Sequence, residues 1–183
     1  MKKLSLLKKI LLAIVVLVVV LVVIVSLQPN TFRIERSTTI AAPAEAVFPH
    51  VNELRRWEAW NPWGKIDPNM KLTYDGPSAG VGASYAWVGN NDVGEGRATI
   101  TEVRTNEYVQ LRLEFLKPMP GVAKAEFSFK PVEAKTQVTW AMSGTNNFIG
   151  RFFCLFMNMD KMVGGQFEKG LADLKAASET PAR

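Results

Sequence analysis

The chain has 183 residues, enough for one ordinary domain plus an appendage, and a formal charge of +5. Lys2, Lys3, Lys8 and Lys9 supply four of those charges, leaving 18 basic residues against 17 acidic ones from Gln28 onward. That near-neutral remainder excludes the clustered Lys and Arg footprint of a nucleic-acid binder. Cys154 is the only cysteine and His50 the only histidine, so an internal disulfide, a thiolate metal cluster and a His-based triad or zinc site all lack partners, and no metal or cofactor is expected.

Ile10 to Leu27 is apolar throughout except for Ser26. Its length comes close to spanning a bilayer core of roughly 30 Å. The run ends Val25-Ser26-Leu27-Gln28, without the small-x-small pattern of a signal-peptide cleavage site, so an uncleaved single-pass anchor is predicted. The four lysines before it and Arg33 and Arg36 after it favour a cytoplasmic N-terminus under the positive-inside rule. The expected placement is a bacterial inner membrane with the folded part extracytoplasmic. Residues 1-29 then form the tip, anchor and linker, and residues 30-183 the folded domain.

Phe32 to Ile40 alternates and reads as a first strand, stopped by Pro43. Ala44 to Phe48 forms a short helix with Pro43 at its first turn. Leu54, Trp57 and Trp60, three apart, predict a second short helix ending at Asn61-Pro62. Strands follow at Lys71 to Tyr74, Ala83 to Val88, Gly94 to Arg104, Tyr108 to Leu116, around Ala125 to Lys130, and around Gln137 to Met142. Asp75 to Gly82 and Gly89 to Asp92 carry turn chemistry. In the fifth strand Val109, Leu111, Leu113 and Phe115 share one face while Gln110, Arg112 and Glu114 share the other.

The C-terminal stretch Phe148 to Ala177 sets Ile149, Phe152, Phe153, Phe156, Val163, Phe167, Leu171 and Leu174 at three- and four-residue steps, which predicts one long amphipathic helix. Its partner is an antiparallel sheet with one buried face, giving an α+β fold. Asp160 falls on the apolar stripe, where an unpaired carboxylate is costly. Either it pairs with a sheet arginine, Arg97 or Arg112, or it is the polar end of a pocket and a candidate catalytic acid/base group, with Glu95 or Arg97 beside it. Gly164, Gly165 and Gly170 each cost this helix on the order of 1 kcal/mol relative to Ala. Close approach to the sheet, or room for a ligand, offsets that.

Several segments carry a family resemblance: Glu35 to Pro43, Trp57-Glu58-Ala59-Trp60-Asn61-Pro62-Trp63, Gly80-Val81-Gly82-Ala83, Val93-Gly94-Glu95-Gly96, Thr139-Trp140-Ala141-Met142 and Met159-Asp160-Lys161-Met162. Over about residues 32 to 177 the chain resembles the START-like, or Bet v 1-like, superfamily, and within it the membrane-anchored bacterial SRPBCC proteins of polyketide cyclase/dehydrase type. The resemblance implies a helix-grip domain, a curved antiparallel sheet of about seven strands with two short helices and a long C-terminal helix. It also implies a cavity between sheet and helix for a hydrophobic small molecule or lipid. Trp60, Trp63, Trp87, Arg97, Phe115, Trp140, Met142, Phe156 and Asp160 are the expected lining, with Trp60 and Trp63 in a loop that closes the mouth. The expected role is a binding module rather than an enzyme. The alternatives are a cyclase- or dehydratase-type enzyme using cavity acid/base groups, and an envelope protein-interaction module.

Overall fold

The computed structural model describes residues 6–180; Lys2 and Lys3, invoked for membrane orientation, lie outside them. The element order is α1 (Leu6–Leu27), β1 (Thr31–Ile40), α2 (Ala44–Asn52), a 3-10 turn (Leu54–Ala59), α3 (Trp63–Ile66), β2 (Lys71–Asp75), β3 (Ser84–Val88), β4 (Glu95–Arg104), β5 (Tyr108–Lys117), β6 (Gly121–Val132), β7 (Lys135–Thr145), α4 (Phe148–Cys154) and α5 (Met159–Glu179). Two compact units result: the residues up to Phe32 with Thr145–Asn158, and Arg33–Gly144 with the residues from Met159 on.

β2 to β7 form an antiparallel meander, and β1 closes on β7, so the seven strands run in the order β1-β7-β6-β5-β4-β3-β2. The period-two patterns fix which side chains go inward. Val109 and Leu111 of β5, Phe127 and Phe129 of β6, and Val138 and Trp140 of β7 are buried on one face, and Phe167, Leu171 and Leu174 of α5 are buried with them. The Phe167 ring stacks on Trp140 with centroids 4.1 Å apart and planes 10° apart, and Trp140 stacks in turn on Phe127 at 5.0 Å. Thr136 Oγ1 donates to Ala42 O at 2.8 Å, which ties the β1–α2 connection to β7 and leaves neither buried group unpaired.

Two expectations about helices are corrected. The segment from Phe148 is not one helix but two, broken between Cys154 and Met159. Asn147 caps α4, accepting from Gly150 N at 2.8 Å, and the backbone turns tightly at Leu155 to Met157 before α5 begins. Asn158 and Asp160 are start-of-helix residue types that an apolar count passes over. The apolar stripe therefore does not continue into the core: Ile149, Phe153 and Phe156 are exposed. The second short helix is a 3-10 turn ending at Ala59, followed by the separate turn of α3.

α1 is one helix of 22 residues, long and apolar enough to cross a membrane and near the N-terminus, a property that signal sequences share. At 1.5 Å per residue it is about 33 Å long.

Candidate functional site

Asp160 sits in the first turn of α5 with its side chain largely exposed, which corrects the expectation that it points inward with the apolar stripe. Its partner is neither Arg97, which lies 3.7 Å from Asp75, nor Arg112, which pairs with Glu114 at 3.1 Å, but Arg36 of β1. Asp160, Gly164 and Glu168 follow one another at four-residue steps on one face of α5. The Arg36 guanidinium lies across that face. Nη1 and Nη2 donate to Asp160 Oδ1 and Oδ2 at 3.0 and 2.8 Å, and Nε donates to Glu168 Oε1 at 2.7 Å. Nη2 also donates to Asp160 O and Nη1 to Glu35 O, so every guanidinium nitrogen is engaged. Hydrogen bonds from Arg36 hold the Asp160 carboxyl below its ordinary range, and those same bonds raise Arg36 further.

The glycines divide accordingly. A Cβ on Gly164 would stand 2.2 Å from Arg36 Nη2, and one on Gly170 would stand 2.8 Å from Trp140 Cζ3 and 2.9 Å from Pro62 Cδ, so both mark close approach. A Cβ on Gly165 would meet nothing within 4 Å.

The residues expected to line a cavity between sheet and helix are distributed through the fold. Trp60 is fully buried rather than in a mouth-closing loop: its Nε1 donates to His50 O at 2.9 Å and its ring packs on Trp57, Phe127 and Trp140. Trp140 and Met142 are buried, and Trp63 is half-buried with its ring 5.7 Å from that of Trp140. Trp87 lies over Gly96, its cross-strand neighbour, where a Cβ would come within 2.4 Å of the ring, and it meets Phe115 edge-on at 5.9 Å. Arg97 is exposed, and Phe156 is exposed in the other compact unit. Trp60, Trp63 and Trp140 thus come together with Phe127 and Phe167 as an aromatic cluster between sheet and α5. Trp140 Nε1 meets no acceptor among the described residues.

A cleft of about 280 Å³ opens between the 3-10 turn with α3 on one side and β2 with β3 on the other. Leu54, Trp57, Met70 and Leu72 give it an apolar lining. Tyr74 OH donates to Glu58 Oε1 at 2.6 Å, and the Arg55 guanidinium lies 4.4 Å over the Tyr74 ring, so that side chain is held from both ends. Burial, and then the bond to Glu58, pushes the Tyr74 hydroxyl well above its ordinary pKa; burial does the same for Tyr85, against a hydrogen bond with Asn61. Both hydroxyls are therefore protonated at neutral pH, and that of Tyr74 donates to Glu58. Asp67, a buried carboxylate on the cleft wall, accepts from Asn69 N at 3.0 Å and Asn90 N at 2.7 Å, which satisfies it and pins the loop before β2 to the β3–β4 turn. A second, shallower groove of about 430 Å³ runs between α3 and α5, crossed by the Lys65–Asp173 pair at 2.6 Å.

Glu58, Asp67, Tyr74 and Tyr85 escape a reading by sequence pattern. The signal present was the cross-strand pairing of Tyr74 with Tyr85, which becomes visible once β2 and β3 are set in register. Among the described residues no three His, Cys, Asp or Glu side chains converge as a metal site would require.

Residues 31–179 match the sequence profile of the family described as polyketide cyclase / dehydrase and lipid transport. No curated protein matches the chain in sequence. Among solved structures, protein CV1439 from Chromobacterium violaceum is 17% identical, with a TM-score of 0.56 over 84% of this chain and 100% of that one. The Aha1 dimer from Colwellia psychrerythraea is 18% identical, with a TM-score of 0.57 over 81% of this chain and 96% of that one. Protein Ms6760 from Mycobacterium smegmatis is 18% identical, with a TM-score of 0.56 over 84% and 93%. At such identities these likenesses establish the fold alone. With the family profile spanning nearly all of the chain beyond α1, this chain belongs to the polyketide cyclase / dehydrase and lipid transport family.

Proposed function

We propose that the chain is a membrane-anchored module that holds a hydrophobic small molecule with one polar end in the cleft between Leu54–Asp67 and the β2–β3 edge of the sheet. The observation that carries this reading is the lining. Leu54 and Trp57 of the 3-10 turn, with Met70 just before β2 and Leu72 within it, line one part of a volume just below the usual range for ligand sites, and another side presents a fixed Tyr74–Glu58 pair. A mostly apolar concavity with a few placed polar groups is the general pattern for small-molecule binding. The family description, which includes lipid transport, supports the ligand class.

Residues 1-29 act as the anchor and residues 30-183 as the binding domain. Lys8 and Lys9 before the apolar run favour an inner-membrane topology with the N-terminus cytoplasmic and the domain outside. Tethering to a bilayer raises the effective concentration of a membrane-derived ligand without any new contact.

The test is extraction. The full chain, purified from membranes of its own host beside a Leu72→Trp variant whose larger ring fills the cleft, is extracted with organic solvent and analysed by mass spectrometry. A species present in the wild-type extract in proportion to protein and depleted from the variant supports the reading. Identical extracts from a folded variant overturn it.

The Tyr74–Glu58 bond also favours a second reading, cyclase-type chemistry, since it sets a hydroxyl donor against a carboxylate acceptor at the cleft. A Glu58→Gln variant that retains the bound species but changes its mass relative to wild type supports that alternative. An unchanged species counts against it.

A further inference from the structure

α1, α4 and residues 155–158 belong to one compact unit. α4 meets the C-terminal end of α1. Arg151 Nη1 donates to Ser26 O at 3.2 Å, and Asn146 N donates to Asn30 O at 2.7 Å. The last carbonyls of a helix have no partner within it, and a cation there also suits the negative end of the helix dipole. α1 has no basic residue in its own last turn, so Arg151 supplies one from a segment far along the chain. Around this tie, large apolar side chains face outward: Ile149 is 56% exposed, Phe153 43%, Phe156 71% and Met157 40%. The Arg151 guanidinium stands 5.9 Å over the Phe148 ring. Contiguous exposed apolar surface marks a contact with something not made of water.

We propose that Phe148–Met157 is a membrane-interface foot. α4 and the turn after it lie at the boundary between headgroups and acyl chains, in the leaflet from which the C-terminal end of α1 emerges. The apolar side chains enter the acyl region and Arg151 stays at headgroup level. Two features of this surface favour lipid over a protein partner. The patch is continuous with α1, whose own apolar side chains are exposed along nearly its full length, so one apolar solvent covers both. In addition, the apolar run Ile10 to Leu27 is about 27 Å long against a hydrocarbon core of roughly 30 Å, so Ser26 near its far end falls close to the boundary and a segment hydrogen-bonded to it falls there too. A short helix with Phe on one side and Arg beside it has interfacial composition. The inference rests on α1 being a bilayer span, and the test separates the two.

Cys154, the only cysteine, is exposed within the foot, so the native chain takes a single nitroxide label without substitution. The full chain is placed in nanodiscs of mixed phosphatidylcholine and phosphatidylglycerol, and the label's collision with oxygen is compared with its collision with a water-soluble nickel chelate. Labels at Phe156→Cys, Val16→Cys and Asp92→Cys, each in a Cys154→Ser chain, report the foot, the anchor and an exposed turn. The expected result is a several-fold shift toward oxygen at Cys154 and Phe156 relative to Asp92, with Val16 deeper still. Foot labels as accessible to nickel as Asp92, with Val16 protected, overturn the foot and leave the anchor standing. A Val16 label open to nickel overturns the anchor and the foot together. Dipolar broadening between Cys154 labels, which would mean that a second copy covers the patch, also overturns the proposal.

Discussion

Three glycines in α5 provide a graded test of how this helix meets the sheet. Gly to Ala in a helix interior gains about 1 kcal/mol of intrinsic propensity wherever the methyl group has room. At Gly165 the added Cβ meets nothing within 4 Å, so Gly165→Ala keeps the whole gain. For a chain of this size that is a rise in melting temperature of roughly 2–4 °C. At Gly164 the same methyl sits 2.2 Å from Arg36 Nη2, so the guanidinium must leave the notch and give up its bonds to Asp160 and Glu168. Gly164→Ala therefore gains less than Gly165→Ala. At Gly170 the clash is with the Trp140 ring and the Pro62 ring, which are rigid and packed, and overpacking of this kind costs about 1–3 kcal/mol. Gly170→Ala thus ranks lowest of the three. The assay is thermal unfolding of the full chain in nanodiscs, followed by circular dichroism. If Gly164→Ala gains as much as Gly165→Ala, Arg36 relaxes without penalty and the clamp contributes nothing to stability, as many exposed ion pairs do not.

Other predictions follow from the same contacts. Asp160 is held below its ordinary pKa of 3.8 by Arg36, so its contribution is fully present above that value and is lost as the pH falls through the lower folded-state value. Wild type should therefore melt above Asp160→Asn at neutral pH, with the gap closing in acid; a gap that persists unchanged into strong acid refutes the assignment. In the aromatic core, Trp60→Phe strands the His50 carbonyl, whereas Trp140→Phe removes a donor that meets no acceptor. Urea unfolding should find Trp60→Phe the more destabilising by about 1 kcal/mol, the net worth of one hydrogen bond, and equal losses would argue against that account.

Local patterns in the chain are enough to define the sheet and the class of the fold. Alternation such as that of Tyr108 to Leu116 is a relation between neighbours two apart, and it decides which face is buried without reference to anything distant. The turn residues of Gly89 to Asp92 joined β3 to β4 for the same local reason, and the apolar run of α1 was plain from composition. The family segments then named the architecture that the order of elements had outlined.

Relations across long separations appear only once the chain is folded. Arg36 and Asp160 are 124 residues apart, and their pairing depends on the phase of α5 against β1, which no periodic count contains. Three- and four-residue spacing continues across Leu155 to Met157, where the helix itself does not, so the spacing carries the wrong phase into α5. The cleft needed the 3-10 turn, β2 and β3 to converge before Glu58, Tyr74 and Tyr85 could be seen as neighbours. The three helix glycines looked alike in the chain. Whether each is a notch for a cation, a seat for an indole or open space is set by what the sheet places opposite it, and that is a property of packing rather than of order.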